Sequence, residues 1–276
     1  MIHFDKSFRR WVLIVIAFIS SFGLVIAAAT PSPAIPWAEL LLRSIQVIQL
    51  ANLSDQQEVS IGQQINNQII QQYKIVNDSA LVNYVDEIGR RLVAQSDRPR
   101  LPFKFQVVAD KNVNAFATMG GFVYVHTGLM KAADNEAQLA SVIGHEIGHI
   151  TGKHLANQLR QMSIIEGIAT IAGVNRDRLV QVGVEYALRR PRSRQDELDA
   201  DNRGLRMLTQ SGYAPSAMPA FMQKLVTSAS LPTFLSTHPA APERVALLNQ
   251  SIDPSRANVG AGLDGTAYKS RISSIP

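Results

Sequence analysis

Residues 145–149 read His145-Glu146-Ile147-Gly148-His149. On a helix, residues four apart lie one turn above each other on one face. Both imidazoles can therefore point at one ion, with Glu146 flanking it. Catalytic zinc asks for neutral ring nitrogens at about 2.0–2.1 Å, one further ligand and a position left open for water. Glu146 is then placed to take a proton from that water and pass it to a leaving amine. Two ordinary histidines on a helix can mimic the pattern, so a third ligand has to come from elsewhere. Residues 197–201 read Glu197-Leu198-Asp199-Ala200-Asp201, with Glu197 and Asp201 sharing a face. One carboxylate can bind the ion while the other accepts a hydrogen bond from a ligand imidazole and fixes its tautomer. Taken alone, the same segment reads more readily as an ordinary acidic, solvated helix face. A helix motif with its third ligand at position 155 is excluded, because that residue is Leu155. His154 lies nine residues from His145, about 180° round a continuing helix. It is expected to point away from the ion and make a structural hydrogen bond.

Composition narrows the options. The chain has 276 residues and no cysteine, which removes disulfides, thiolate metal sites, cysteine nucleophiles and lipidated-cysteine anchors. Any metal must be held by His, Asp and Glu. Hydrophobic residues at 46% and charged ones at 18% exclude a disordered chain. The net charge of +5 is scattered, with no run of five or more basic residues and no aromatic–basic interleaving, so no nucleic-acid partner is expected.

Residues 11–29 are apolar and uncharged, with Lys6, Arg9 and Arg10 ahead and Ala27, Ala28 and Ala29 at the far end. This is the order of a secretory signal. At 1.5 Å per residue the stretch is also just long enough to span a bilayer core of about 30 Å. Residues 1–29 therefore read as a cleaved signal peptide or a retained anchor. Either places the remainder outside, in a periplasm or on the outer face of a membrane. Pro31, Pro33 and Pro36 break the segment, and residues 30–53 read as a linker and an amphipathic helix.

Further elements must position the chemistry. A capping pattern at Ser54 and Gln57 opens a helix to about Tyr73, and another covers Ser79 to Gln95. Residues 103–109 and 121–126 alternate as strands, with Gly120-Gly121 marking a tight turn. Asp134, Asn135 and Gln138 open the long helix that carries the histidines. Residues 163–188 are apolar and read as a lid, a membrane-contacting hairpin or a core pair. Helices follow over 195–211 and 215–228. From about Ser251 the composition turns to Gly, Ser, Ala and Asp, and residues 251–276 are expected to be disordered.

Together, HEIGHITGKH (145–154), the Glu197–Asp201 cluster and STHPAAPERVALL (236–248) resemble the HtpX and CAAX-prenyl-protease-like family of zinc metallopeptidases. LSDQQEVSIGQQI (53–65), NAFATMGGFVYVHTGLM (114–130) and SRQDELDADNRGLRMLTQSGY (193–213) resemble its exported bacterial and mitochondrial quality-control branch. The resemblance covers residues 54–250. It implies an α+β, mainly helical gluzincin fold of the zincin type, with a small β-sheet and the HExxH helix at the site. It also implies one Zn2+ on His145, His149 and Glu197, Glu146 as general base, and Asp201 behind the ligands. His238 would approach the metal, stabilising the oxyanion or serving as a removable fourth ligand, with Arg244 as a structural or substrate-orienting partner. Met119, Asp199 and Arg192 depart from the residues usual in the family and bear on loop shape and substrate preference. An extended substrate is expected to lie along an edge strand at Asn114, Ala115, Phe116 and Ala117. The function these readings converge on is a zinc metalloendopeptidase acting on unfolded or misassembled envelope proteins. The rival is a non-cleaving, chaperone-like binding protein on the same fold.

Overall fold

A computed structural model describes residues 53–165, 176–228, 233–239 and 242–276. The signal-like segment 1–29 and almost all of the 30–53 linker lie outside the described residues. The mainly helical α+β architecture expected from the motifs is the one the chain adopts. Helix α1 (Asp55–Gln72) begins where Ser54 Oγ accepts from Gln57 N–H and Gln57 Oε1 accepts from Ser54 N–H, a reciprocal capping box. Asp78 caps α2 (Ser79–Val93).

Three short strands follow: β1 (Lys104–Val108), β2 (Ala115–Ala117) and β3 (Phe122–His126), in spatial order β1-β3-β2. β1 runs parallel to β3, and β2 pairs antiparallel with β3 through a turn at Gly120 and Gly121, whose φ values are +76° and +104°. Both faces of the sheet are covered. Val107, Ala115, Ala117, Val123 and Val125 pack into one core with α2. Val108, Phe116, Phe122 and Tyr124 pack into another with α1. A sheet buried on both sides explains why its strands carry so few charges.

Helix α3 (Thr127–Ala132) leads to α4 (Glu136–Thr151), which Asn135 caps through Gln138 N–H. Every residue of α4 after Glu136 is buried, so it runs through the centre of the molecule with no solvent face. Next come α5 (His154–Ile165), α6 (Arg176–Arg189), α7 (Arg194–Gln210), α8 (Ala217–Val226), α9 (Thr233–Thr237), α10 (Pro242–Ser251) and α11 (Gly265–Arg271). Of residues 163–188, which read as a lid, a hairpin or a core pair, 166–175 lie outside the described residues. α6 packs on α1 and α5, and Val180, Val184 and Tyr186 join the second core.

The tail from Ser251 is not disordered as its composition suggested. Tyr268 on α11 is 1% exposed and donates to Met130 O at 2.6 Å, and Ile252, Ile272 and Ile275 enter the first core. Gly262 O accepts from Ala137 N–H at the start of α4, and Ala261 O accepts from Ala214 N–H. A few apolar side chains at the right places, with backbone bonds between them, are enough to fasten a polar segment. Among the described residues no helix is long and apolar enough to cross a membrane.

Candidate metal centre

Helices α4 and α7 carry the two halves of the motif and cross in close contact. A Cβ on Gly148 would lie 2.7 Å from Ala200 O, so only glycine lets the backbones approach this far. Ser193 Oγ caps α7 by accepting from Asp196 N–H, which sets Glu197 in its first turn.

The approach brings His145, His149, Glu197 and His238 together with one donor atom each, all within 4.8 Å of one another. His145 Nε2 lies 3.0 Å from His149 Nε2, 3.5 Å from Glu197 Oε2 and 3.2 Å from His238 Nδ1. Glu197 Oε1 lies 3.3 Å from His149 Nε2 and 3.1 Å from His238 Nδ1. Four donors on a tetrahedron around an ion at about 2.0–2.1 Å would sit roughly 3.3 Å apart. The donor set fits a metal ion in chemistry, and the spacings of 3.0–3.5 Å given above lie near that value. Glu146 is fully buried, and neither of its carboxylate oxygens has a hydrogen-bond partner among the described residues. Its Oε1 lies 3.4 Å from His238 Nε2.

His238 follows α9, and Phe234 stacks on its ring at 4.4 Å and 14°. This short segment is clipped at two points. Phe234 N–H donates to Val113 O at 3.0 Å, and Arg192 N–H donates to Thr237 O at 2.9 Å.

Behind His145, Asp201 Oδ1 accepts from Nδ1 at 2.9 Å. Arg244 donates through Nε and Nη2 to both oxygens of Asp201 at 2.7 Å, and through Nη1 to Glu197 Oε2 at 2.5 Å and Pro239 O at 3.0 Å. Burial would hold His145 down, but the carboxylates of Asp201 and Glu197 outweigh it and raise it to about 9. Burial likewise favours a neutral Glu197, yet His238, His145 and His149 together hold it well below the usual carboxylate range. Asp201 is lowered too, its burial overcome by Arg244 and His145.

Behind His149 the arrangement departs from the expectation for His154. Helix α4 does not continue: it ends at Thr151, and Lys153 turns the chain with φ +57°. His154 thus returns to the site, with its Nδ1 2.8 Å from His149 Nδ1 and its Nε2 3.0 Å from Asp199 Oδ2. For His149 Nε2 to face an ion, its Nδ1–H must donate to His154 Nδ1, and His154 Nε2–H must then donate to Asp199. Asp199 Oδ2 also accepts from Arg203 Nε at 2.6 Å, and Arg203 in turn reaches Asp97. Burial lowers His149 well below the usual imidazole value against the pull of Glu197, and the charges of His145 and Arg192 add to the lowering. The hydrogen bond expected of His154 is present, but its partner is a residue of the cluster itself. The helix-breaking Gly152-Lys153 pair was the available signal.

Ala115–Ala117 form the edge strand by sheet order, and Asn114 O accepts from His126 N–H. All four residues of the expected substrate strand are buried, and Ala117 lines a narrow cleft with His149. Sequence reasoning missed Phe234, the Gly148–Ala200 contact and the His154–Asp199 pair.

This donor cluster is one that could hold a metal ion, and the comparisons place the chain in a family of peptidases. The sequence pattern of Peptidase family M48 matches residues 79–252, and the chain belongs to that family. It is 31% identical over 213 residues to the beta-barrel assembly-enhancing protease of Escherichia coli (strain K12), covering 71% of this chain and 44% of that protein. The protein of the same name in Yersinia pestis is 32% identical over 241 residues, covering 81% and 49%. The mitochondrial metalloendopeptidase OMA1 of Arabidopsis thaliana is 34% identical over 163 residues, covering 57% and 33%. The chain spans less than half the length of each of these relatives.

Proposed function

We propose that the chain is a zinc-dependent metalloendopeptidase that cuts unfolded or misassembled envelope proteins. The observation that carries this is the buried Glu146 carboxylate, with no hydrogen-bond partner among the described residues, beside three imidazoles and a carboxylate whose donor atoms lie within 4.8 Å of one another. His145, His149 and Glu197 would hold the ion. Zinc, when bound there, supplies a Lewis acid that makes water a usable nucleophile near neutral pH. Glu146 takes the proton from the attacking water and hands it to the leaving amine. Asp201 and His154 hold the two ligand imidazoles in the tautomers that turn Nε2 inward. The substrate backbone adds to the edge strand at Asn114–Ala117, which suits recognition that is largely independent of side chains. The charge order of residues 1–29 supports export, and the names of the relatives support envelope substrates.

His238 sits at ligand distance from His145 and Glu197, and its segment is clipped to Val113 and Arg192. This favours the removable fourth ligand over the oxyanion donor and describes a latent resting state. Zinc-loaded protein from about residue 37 onward, incubated with casein, tests the reading. The native sequence should release fragments, and Glu146→Gln should hold zinc but release none. Equal fragment release by both would end the peptidase assignment. His238→Ala should raise the rate; a loss of rate would return His238 to catalysis.

A further inference from the structure

We infer that Arg192 selects substrates carrying a carboxylate, that of an Asp or Glu side chain, beside the scissile bond. The inference rests on the peptidase reading above and deepens it. Arg192 is 4% exposed, yet its Nε and Nη2 have no hydrogen-bond partner among the described residues. Buried donors are ordinarily satisfied, and a buried guanidinium more so than most.

What does surround the side chain fixes its position without satisfying it. Its Cζ lies 4.6 Å from the centre of the Tyr186 ring, and its backbone N–H is held by Thr237 O. The next residue, Ser193, caps α7, so the guanidinium is tied to the helix turn that carries Glu197. Arg192 lines the narrow cleft that His149, Ala117 and Thr118 also line, at the end of the edge strand. Glu58 lines the same cleft but is already ion-paired, to Arg98 at 2.9 Å and Lys153 at 2.6 Å. The cleft thus presents Arg192 and Lys153 against one carboxylate, an excess of one positive charge.

A guanidinium with two free donors in a fixed plane matches a carboxylate bidentately and an amide poorly. An extended peptide on the edge strand would bring its side chains past this fork. The carboxylate at the end of a substrate chain has the same chemistry, and the test must separate the two sources.

Peptides with Glu or Gln at each position flanking the cut, each with a free or an amidated C-terminus, are offered to the zinc-loaded native protein. Cleavage rate is one readout. The other is affinity for the zinc-loaded Glu146→Gln protein, which does not depend on turnover. At one position Glu should be favoured over Gln by about 10- to 100-fold, as a charge-assisted bond to a buried donor implies. Amidation should leave that ratio unchanged. Arg192→Gln should abolish it, and Arg192→Lys, which keeps the charge but not the fork, should retain a smaller one. Equal treatment of Glu and Gln peptides by native protein, or a ratio that survives in Arg192→Gln, overturns the inference. A preference lost on amidation instead assigns the site to chain ends and also overturns it. If nothing is cut but the affinity ratio appears and depends on Arg192, the recognition site stands while the peptidase reading fails.

Discussion

His145 and His149 project from one helix a turn apart, yet what stands behind them differs. Behind His145 is a closed ionic cluster: Asp201, Glu197 and Arg244, each with a side chain no more than 4% exposed. Behind His149 is a relay that starts at a neutral imidazole and runs outward. Asp199 has a side chain 41% exposed, and Arg203 and Asp97 lie at the surface beyond it. One wall is locked by buried charge, which is costly to break because a remaining partner is stranded. The other ends in water, which can replace a missing group. The locked wall should therefore set the stability of the fold and the outward one should tune the site.

The largest test of that difference is Arg244→Met. It leaves Glu197 and Asp201 buried without the guanidinium that binds both, with His145 as their remaining shared partner, and removal of one member of such a group costs about 3–5 kcal/mol. Urea denaturation of the metal-free protein should show the loss, and zinc should recover part of it by binding the folded state. The outward wall offers no counterpart, since the Arg203–Asp97 pair is half-exposed and such pairs contribute about 0–1 kcal/mol. A cost for Arg244→Met no larger than that of Arg203→Met would remove the distinction.

Reading the sequence alone goes far on the locked wall and less far on the other. The i, i+4 spacings of His145 with His149 and Glu197 with Asp201 report one-turn geometry, which follows from the helix alone. The caps at Ser54 and Asn135 are equally local. The His154 relay depends instead on a chain reversal at Lys153, a residue with a side chain in the left-handed region, which no periodicity announces. The anchoring of the tail was hidden for a different reason. Tyr268, Ile272 and Ile275 are too few to make a pattern, and only the three-dimensional gap beside α4 gives them a place. The close approach at Gly148 falls between: the glycine is visible, but its neighbour Ala200 is 52 positions away.

Asp201→Asn tests the locked wall at the level of the metal. The amide oxygen can still accept from His145 Nδ1–H and Arg244 Nη2, but the amide nitrogen in place of Oδ2 then faces Arg244 Nε–H and cannot accept from it. Loss of a carboxylate behind a ligand histidine typically weakens metal binding about 10- to 100-fold. Competition with a chelating dye at fixed pH measures this directly, and unchanged affinity would mean that Asp201 does not orient His145.

His154→Ala is the smallest expected effect and the sharpest test. It deprives His149 Nδ1–H of its acceptor, and His149 is only 4% exposed, so an unfilled gap would cost as much as the Asp201 change. The space vacated by the imidazole, however, adjoins the partly exposed Asp199, and water entering from that side can accept from His149 and donate to Asp199. A bridging water restores most of the bond, so zinc affinity should fall by less than about tenfold, with the tautomer of His149 preserved. The bridging route predicts one thing more: His154→Leu, which fills the same space with apolar atoms and admits no water, should bind zinc more weakly than His154→Ala. If the two substitutions behave alike and match Asp201→Asn, the outward wall is as dry as the locked one, and exposure of Asp199 has no bearing on the site.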